Sequence, residues 1–105
     1  MKLIVSTAPE NEAGRIGEAL LSERLVACVN FIKGVKSRYW WKGVVEEAAE
    51  TVMLMKTTSD LAPAAVARLV ELHSYDVPEA VVIDIEGGNA AYLEWIADVT
   101  SSPGR

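Results

Sequence analysis

The stretch VACVNFIKGVKSRYWWKGVVEEAAETVMLMK, residues 26–56, predicts one long β-hairpin. If its first arm, 26–41, is fully extended at ~3.3 Å per residue, it reaches about 53 Å. A compact chain of 105 residues has a radius of gyration near ~13 Å, which corresponds to a diameter of about 33 Å. The arm is therefore too long for the core of its own domain, and we expect the outer half of the hairpin to project.

The tip of this hairpin is rich in aromatic residues. Tyr39, Trp40 and Trp41 come directly before Lys42 and Gly43, where the glycine favours a tight turn. Three aromatic side chains on a projecting tip would leave an exposed apolar patch on a monomer. We therefore predict that copies of the same chain cover all three at a subunit interface. A ligand-stacking wall formed by Trp40 and Trp41 is the alternative interpretation.

The two arms differ in character along their length. The second arm, 44–56, carries Glu46, Glu47 and Glu50 towards the tip and the apolar run VMLM towards its root. Gly34 interrupts the first arm and is a candidate β-bulge. The hairpin is thus predicted to have an apolar root inside the domain and a charged, aromatic outer half.

Length and composition favour one compact domain over residues 1–105. Half of the residues are hydrophobic, the net charge is −5 and there is one cysteine. A chain with one cysteine forms no internal disulfide, which fits a reducing compartment, and the cytoplasm is the expected location. An acidic domain lacks the basic surface that nucleic-acid binding requires. The first apolar run ends before Pro9 and is too short for a signal sequence or a membrane span, so no membrane association is expected.

The remaining elements follow from hydrophobic periodicity. Two amphipathic helices that each link strands of one sheet predict an α+β chain, with the order βαββαβ plus a C-terminal helix. This is a ferredoxin-like two-layer α/β sandwich with a long protruding hairpin between its second and third strands. The predicted elements are a strand at 2–7, a helix at 9–24, a helix capped by Ser59 or Asp60 with Pro63 in its first turn, a buried strand at 77–85, a helix capped by Asn89, and a polar tail at 101–105.

The chemically most suggestive residues lie after the second helix. His73 ends that helix, and Tyr75, Asp76 and Glu79 follow on a loop that enters a strand. One interpretation gives His73 a structural role at the terminal carbonyls of its helix, and the other makes it a ligand or a proton carrier. Glu79 is expected to pair with Lys56 rather than to act in catalysis.

Cys28 lies in the apolar run VACV at the root of the hairpin. An unpaired cysteine in such a run usually behaves as a small buried hydrophobe. It has no basic neighbour in the sequence that would stabilise a thiolate. We therefore expect a structural thiol.

Six segments together resemble the CutA family, the divalent-cation tolerance proteins. They are spread over almost the whole chain, and their combination is specific. They are STAP (6–9), LVACVN (25–30), SRYWWKG (37–43), MLMKT (53–57), HSYDVPE (73–79) and YLEWI (92–96).

The resemblance implies a ferredoxin-like fold assembled as a homotrimer, in which the long hairpins pack against neighbouring subunits. It implies no enzymatic activity and no catalytic residue. It also implies an architecture similar to PII-type signalling proteins, which bind small effectors in clefts between subunits. The cleft expected here is formed by five residues, with the tryptophan contributed by a neighbouring subunit: Ser6, Trp41, Lys56, Tyr75 and Glu79.

The resemblance also implies copper ligands, most of which are missing. Where some bacterial members have a cysteine and a first histidine, this chain has Ser6 and Leu72, so that only His73 remains. A hydroxyl is a poor ligand for a soft metal, and one imidazole does not make a tight site. We expect at most weak binding of Cu²⁺ or another divalent cation, dependent on His73.

Three functions remain open at this point. The first is a non-enzymatic cytoplasmic homotrimer involved in the response or tolerance to divalent metal ions, copper in particular. The second is a PII-like sensor that binds a small effector in the cleft between subunits. The third is a trimer that serves only as an assembly scaffold.

Overall fold

Four antiparallel strands form one sheet, and two helices cover one of its faces. The computed structural model describes residues 1–101, so that 102–105 of the predicted polar tail lie outside the described residues. The strand order is β2-β3-β1-β4, which confirms the ferredoxin-like α+β prediction. The elements are β1 Lys2–Pro9, α1 Glu10–Ser22, β2 Cys28–Trp41, β3 Val44–Thr57, α2 Ala62–Leu72, β4 Val81–Asp84 and α3 Ala90–Thr100.

The core lies between the sheet and the helices α1 and α2. Side chains of a strand alternate between its two faces, so every second residue of β1 and β3 points towards the helices. Periodic apolar residues of α1 and α2 meet them there. The fully buried members of this core include Ile4, Ala8, Ile16, Leu20, Met53, Met55, Ala65 and Leu69.

The hairpin of β2 and β3 has the predicted bulge and turn. The register shifts between Ile32 and Val35, and Gly34 has a φ of 73° there. At the tip, Lys42 and Gly43 both have positive φ values, 51° and 81°, which suit a two-residue hairpin turn. Glu10 accepts a hydrogen bond of 3.2 Å from the Gly34 backbone N–H, so the first turn of α1 holds the bulge in place.

The outer half of the hairpin leaves the domain because its neighbouring strand ends early. β1 stops at Pro9, which lies opposite Glu50, whereas β3 begins six residues earlier, at Val44. Residues 44–49 therefore pair only with β2. The molecule is 44 Å long and only 27 by 21 Å in its other dimensions, as expected for a projecting hairpin.

The fourth strand is shorter and more exposed than predicted. It covers Val81–Asp84 instead of 77–85, and Pro78 has no N–H to donate to a ladder. β4 is also an edge strand and is not buried in one chain, with Val81 and Ile83 about half exposed.

Helix boundaries also differ slightly from the prediction. α1 occupies Glu10–Ser22 rather than 9–24. At α2, the Thr58 hydroxyl accepts the hydrogen bond from the Leu61 N–H, and neither Ser59 nor Asp60 caps the helix. Asn89 caps α3 as predicted. Within residues 1–101, no helix is long and apolar enough to cross a membrane.

The sheet face opposite the two helices carries apolar side chains and is largely open. The register places Val5 between Leu54 and Val81 on this face, with Leu3 beside Ile83. All five are partly or well exposed in one chain. An apolar sheet face of this kind usually marks a contact with another protein chain.

Candidate ligand cleft beside the hairpin

An open cavity of about 860 Å³ lies between the outer half of the hairpin and the loop that follows α2. Residues 73–80, which we call the 73–80 loop, contact β1 at Ser6 and Thr7 and reach the hairpin at Glu50. Aromatic and acidic side chains predominate among the lining residues. They are Thr7, Ser37, Arg38, Tyr39, Trp40, Trp41, Glu50, Ser74, Tyr75, Asp76, Val77, Pro78 and Glu79.

A buried carboxylate lies at one wall of this cavity. Glu50 is only 3% exposed, and its Oε2 accepts a hydrogen bond of 2.8 Å from the Tyr75 hydroxyl. Burial raises the pKa of the Tyr75 phenol well above its ordinary value, and the neighbouring Glu50 carboxylate raises it further. Tyr75 therefore stays protonated at neutral pH and remains the donor in this pair.

The His73 side chain joins the 73–80 loop to β1. Its Nε2 lies 2.8 Å from the Thr7 backbone oxygen, and its Nδ1 lies 3.1 Å from the Tyr75 backbone N–H. A carbonyl only accepts and an N–H only donates, so these contacts define a neutral ring with the proton on Nε2. The ring binds β1 rather than the terminal carbonyls of α2, which corrects the structural role predicted from the sequence.

This arrangement leaves no ring nitrogen of His73 available to a metal. A cation that bound Nδ1 would have to displace the Tyr75 N–H, and one that bound Nε2 would have to displace the Thr7 carbonyl. Among residues 1–101, no group of three or more His, Cys, Asp or Glu side chains is placed to hold a metal ion. The donor set around His73 therefore does not fit a tight copper site.

Ser6 and Glu79 are neighbours at the edge of the cleft. The buried Ser6 hydroxyl donates a hydrogen bond of 2.7 Å to the Glu79 backbone oxygen. The Glu79 carboxylate lines the cavity and lies 3.5 Å from the Thr7 hydroxyl. Ser6 thus fixes the backbone of the loop, whereas the Glu79 side chain faces the open space.

A second contact holds the loop against α1. Glu12 accepts hydrogen bonds from both the backbone N–H and the hydroxyl of Ser74. The hydrogen bond from the hydroxyl lowers the pKa of Glu12, although partial burial of the carboxyl opposes this effect. The 73–80 loop is therefore anchored at its beginning by α1 and β1, and the cavity wall is preorganised.

Lys56 lies outside the cleft, and its predicted pairing with Glu79 is wrong. The register places Lys56 opposite Leu3 and Cys28, whereas Glu79 contacts Ser6 and Thr7 further along β1. The Lys56 ammonium instead donates to Asn30 Oδ1 at 3.1 Å. It also lies 3.8 Å from the Cys28 sulfur.

Cys28 is more exposed to solvent than the sequence predicts. The residue is half-buried, and its sulfur lies 3.5 Å from the Tyr92 hydroxyl as well as beside Lys56. The basic neighbour comes from the adjacent strand, so the sequence around Cys28 does not reveal it.

The three aromatic residues at the tip divide between the two faces of the hairpin. Alternation places Tyr39 and Trp41 on one face and Trp40 on the other. Trp40 is 75% exposed, compared with 40% for each of the other two. Trp41 of the same chain thus forms part of the cavity wall, together with Tyr75 and Glu79.

Several lining residues were not predicted from the sequence. Glu50 was grouped with the charged residues near the tip, although it lies opposite Pro9, where the hairpin leaves the sheet. The one feature of the sequence that indicates burial of Glu50 is its position directly before the buried run of β3. Thr7 and Arg38 lie within the quoted segments STAP and SRYWWKG, but nothing in those segments assigns either residue to a cleft.

Comparisons with known proteins agree on one family. A family model described as CutA1 divalent ion tolerance protein matches residues 2–99. The divalent-cation tolerance protein CutA of Thermus thermophilus is 42% identical over 100 residues, which are 94% of this chain and 97% of that protein. The chloroplastic protein CutA 1 of rice is 41% identical over 99 residues, 93% of this chain, and the chain spans only 56% of that relative's length.

A solved structure shares the fold throughout. It is described as the PII-like protein CutA from Nostoc sp. in apo form. The two chains superpose with a TM-score of 0.91 at 34% sequence identity, over 95% of this chain and 97% of that one.

Proposed function

The chain belongs to the CutA1 divalent ion tolerance family, and from this premise we propose that it acts as a non-enzymatic homotrimer in the response to divalent metal ions. The family description names tolerance to ions and no reaction. The observation that carries the assembly part of the proposal is the open apolar face of the sheet. Leu3, Val5 and Leu54 are partly exposed there, and Val81 and Ile83 are well exposed.

We infer that other copies of the same chain cover this face. Closed symmetric assemblies are the commonest state of soluble oligomers, and an apolar surface on every copy favours them. The hairpin tip adds a second surface, since Trp40 is largely exposed and lies on the opposite face of the hairpin from Tyr39 and Trp41. A neighbouring subunit that covers the sheet face and receives Trp40 would remove both from water.

The proposed role does not require a tight metal site within the chain. Both ring nitrogens of His73 are already hydrogen-bonded, the Ser6 hydroxyl donates to the Glu79 carbonyl, and Leu72 supplies no ligand. At most weak Cu²⁺ binding is therefore proposed. Tolerance would then depend on what the assembled protein contacts rather than on sequestering the ion itself.

The test is complementation in a bacterium from which its own family member has been deleted. Growth is measured over a graded series of Cu²⁺ and Zn²⁺ concentrations, with the chain, with an empty vector and with Trp40→Ala. Restored tolerance with the chain, and loss of it with the assembly-defective variant, would support the proposal. Equal growth with the chain and with the empty vector would overturn it.

A PII-like effector sensor is the second candidate, and the open cavity of about 860 Å³ favours it. Ligand sites are concave, largely preformed and of about 300–1,000 Å³. The solved Nostoc relative is itself described as PII-like. A thermal-shift screen of the purified chain against small metabolites tests this candidate, since a ligand of the folded state raises the unfolding temperature.

The cytoplasm remains the proposed location. One cysteine in the chain fits a reducing compartment. The rice relative is described as chloroplastic, so location varies within the family. Fractionation of the native organism with an antibody against the chain decides the point.

A further inference from the structure

The Glu50 carboxylate has one oxygen bonded to Tyr75 and presents the other to the cleft. Its Oε2 accepts from Tyr75, but no donor in the described part of the chain lies within hydrogen-bond distance of its Oε1. The residue is 97% buried yet lines the cavity. A carboxylate at such a partly desolvated position attracts a cation more strongly than one that is surrounded by water.

The charges of the side chains that line the cavity also favour a positively charged ligand. The lining contains the three carboxylates of Glu50, Asp76 and Glu79, but only one guanidinium, that of Arg38. Arg38 is itself 3.6 Å from the Glu47 carboxylate across the hairpin. Within residues 1–101, neither Asp76 nor Glu79 has a salt bridge to a basic side chain. The cavity therefore favours cations and repels anions.

The aromatic walls select among cations. Tyr39, Trp41 and Tyr75 line the same space as the carboxylates, and the faces of such rings attract ammonium groups, with tryptophan the strongest. The Lys42 ammonium already lies 5.8 Å from the centre of the Trp41 ring. A metal ion would instead need several closely spaced ligands, and the described residues contain no such group.

We propose that this cavity binds a small organic cation, with its ammonium group between the Trp41 ring and the carboxylates of Glu50 and Glu79. The inference rests on the second candidate function, the effector sensor, and names the class of its ligand. A cavity of about 860 Å³ accommodates a molecule of metabolite size.

The experiment is calorimetric titration of the full chain with choline, tetramethylammonium and putrescine. 3,3-Dimethylbutan-1-ol is the matched control ligand, because it has the shape of choline without the charge. Choline or one of the other two cations is expected to bind, and the neutral alcohol to bind at least about tenfold more weakly, the scale of a desolvated cation–π contact together with a carboxylate.

Two variants locate the site. Glu50→Gln keeps an acceptor for Tyr75 but removes the charge, and Trp41→Leu removes the ring. Each is expected to weaken cation binding about fivefold to thirtyfold. Glu18→Gln, an exposed acid on α1 outside the cavity, should leave binding unchanged. Light scattering of each variant establishes that its assembly is unaltered, and Glu50→Gln alone carries the test if Trp41→Leu disturbs assembly.

The possible results test the cationic nature of the ligand separately from the effector-sensor function. If none of the three cations binds, if the neutral alcohol binds equally well, or if Glu50→Gln has no effect, the inference is overturned. An anionic metabolite such as ATP that binds in their place overturns the cation while leaving the effector sensor intact. If the thermal-shift screen of small metabolites finds no ligand, the sensor is overturned as well. Metal tolerance in the complementation assay is judged separately.

Discussion

The Tyr75 hydroxyl donates a 2.8 Å hydrogen bond to the carboxylate of Glu50, which is almost completely buried. This contact joins the 73–80 loop to the strand from which the hairpin leaves the sheet. It also determines which of the two carboxylate oxygens remains available to the cavity. The cleft wall thus depends on two residues that are 25 positions apart in the sequence.

Tyr75→Phe should destabilise the protein, because it leaves the buried Glu50 carboxylate without its donor. Loss of one partner of a buried polar pair costs about 1–3 kcal/mol. Urea unfolding at a fixed chain concentration measures the effect, since the stability of an oligomer depends on concentration. Tyr39→Phe is the control, because its hydroxyl has no hydrogen-bond partner within residues 1–101 and the change should be nearly neutral. Equal losses in both variants would contradict the role of the Glu50 contact.

The contact between Ser74 and Glu12 should stabilise the fold in a pH-dependent way. The Ser74 hydrogen bond lowers the pKa of Glu12 in the folded state. A carboxyl with a lowered folded-state pKa contributes stability above its unfolded pKa of about 4.3 and loses it as pH falls through the folded value. Wild type should therefore be more stable than Ser74→Ala at pH 7, and the difference should shrink below about pH 4.3. A difference that is independent of pH would show that Ser74 acts through neutral contacts only.

Local chemistry explains which parts of the fold the sequence predicts well. The bulge at Gly34 and the turn at Gly43 both need positive φ values, which glycine adopts without strain. The length of the hairpin follows from a strand pattern that continues on both sides of Gly34, and the Asn89 cap follows from its side-chain oxygen. Each of these signals lies within a few residues of the feature that it predicts.

The site depends on information that is not local. Whether Lys56 meets Glu79 is decided by strand register, which places Lys56 opposite Leu3 and Glu79 near Ser6. These two positions are three residues apart on β1, about 10 Å at ~3.3 Å per residue. The burial of Glu50 likewise depends on Tyr75, which lies 25 positions further along the chain and donates a hydrogen bond to it. Cys28 acquires Lys56 as a neighbour in the same way, through pairing of β2 with β3.

The chain is expected to be a homotrimer in solution, and Trp40→Ala is expected to weaken it. Trp40 is the most exposed large aromatic residue of the described chain. Aromatic anchors at the centre of an interface often cost more than about 2 kcal/mol when truncated to alanine. Light scattering over a range of protein concentrations measures the mass. Val45→Ala, which removes a smaller side chain on the strand opposite Trp40, should have a smaller effect. A mass equal to one chain for the unmodified protein would exclude the trimer.

Copper binding by the isolated chain is expected to be weak and to depend on His73. A Cu²⁺ ion could use the Nδ1 of His73 only by breaking its hydrogen bond to the Tyr75 N–H, and each broken bond to a buried donor reduces the net affinity. Copper should still bind more tightly than Zn²⁺, following the usual order of divalent ions. Calorimetric titration with both ions compares the wild type with His73→Gln, whose amide can still donate to the Thr7 carbonyl. Cys28→Ser is the matched control, because it removes the softest ligand of the chain without touching the cleft. If submicromolar copper binding survives in His73→Gln and is lost in Cys28→Ser, the metal site lies at the root of the hairpin beside Lys56 and not at the 73–80 loop.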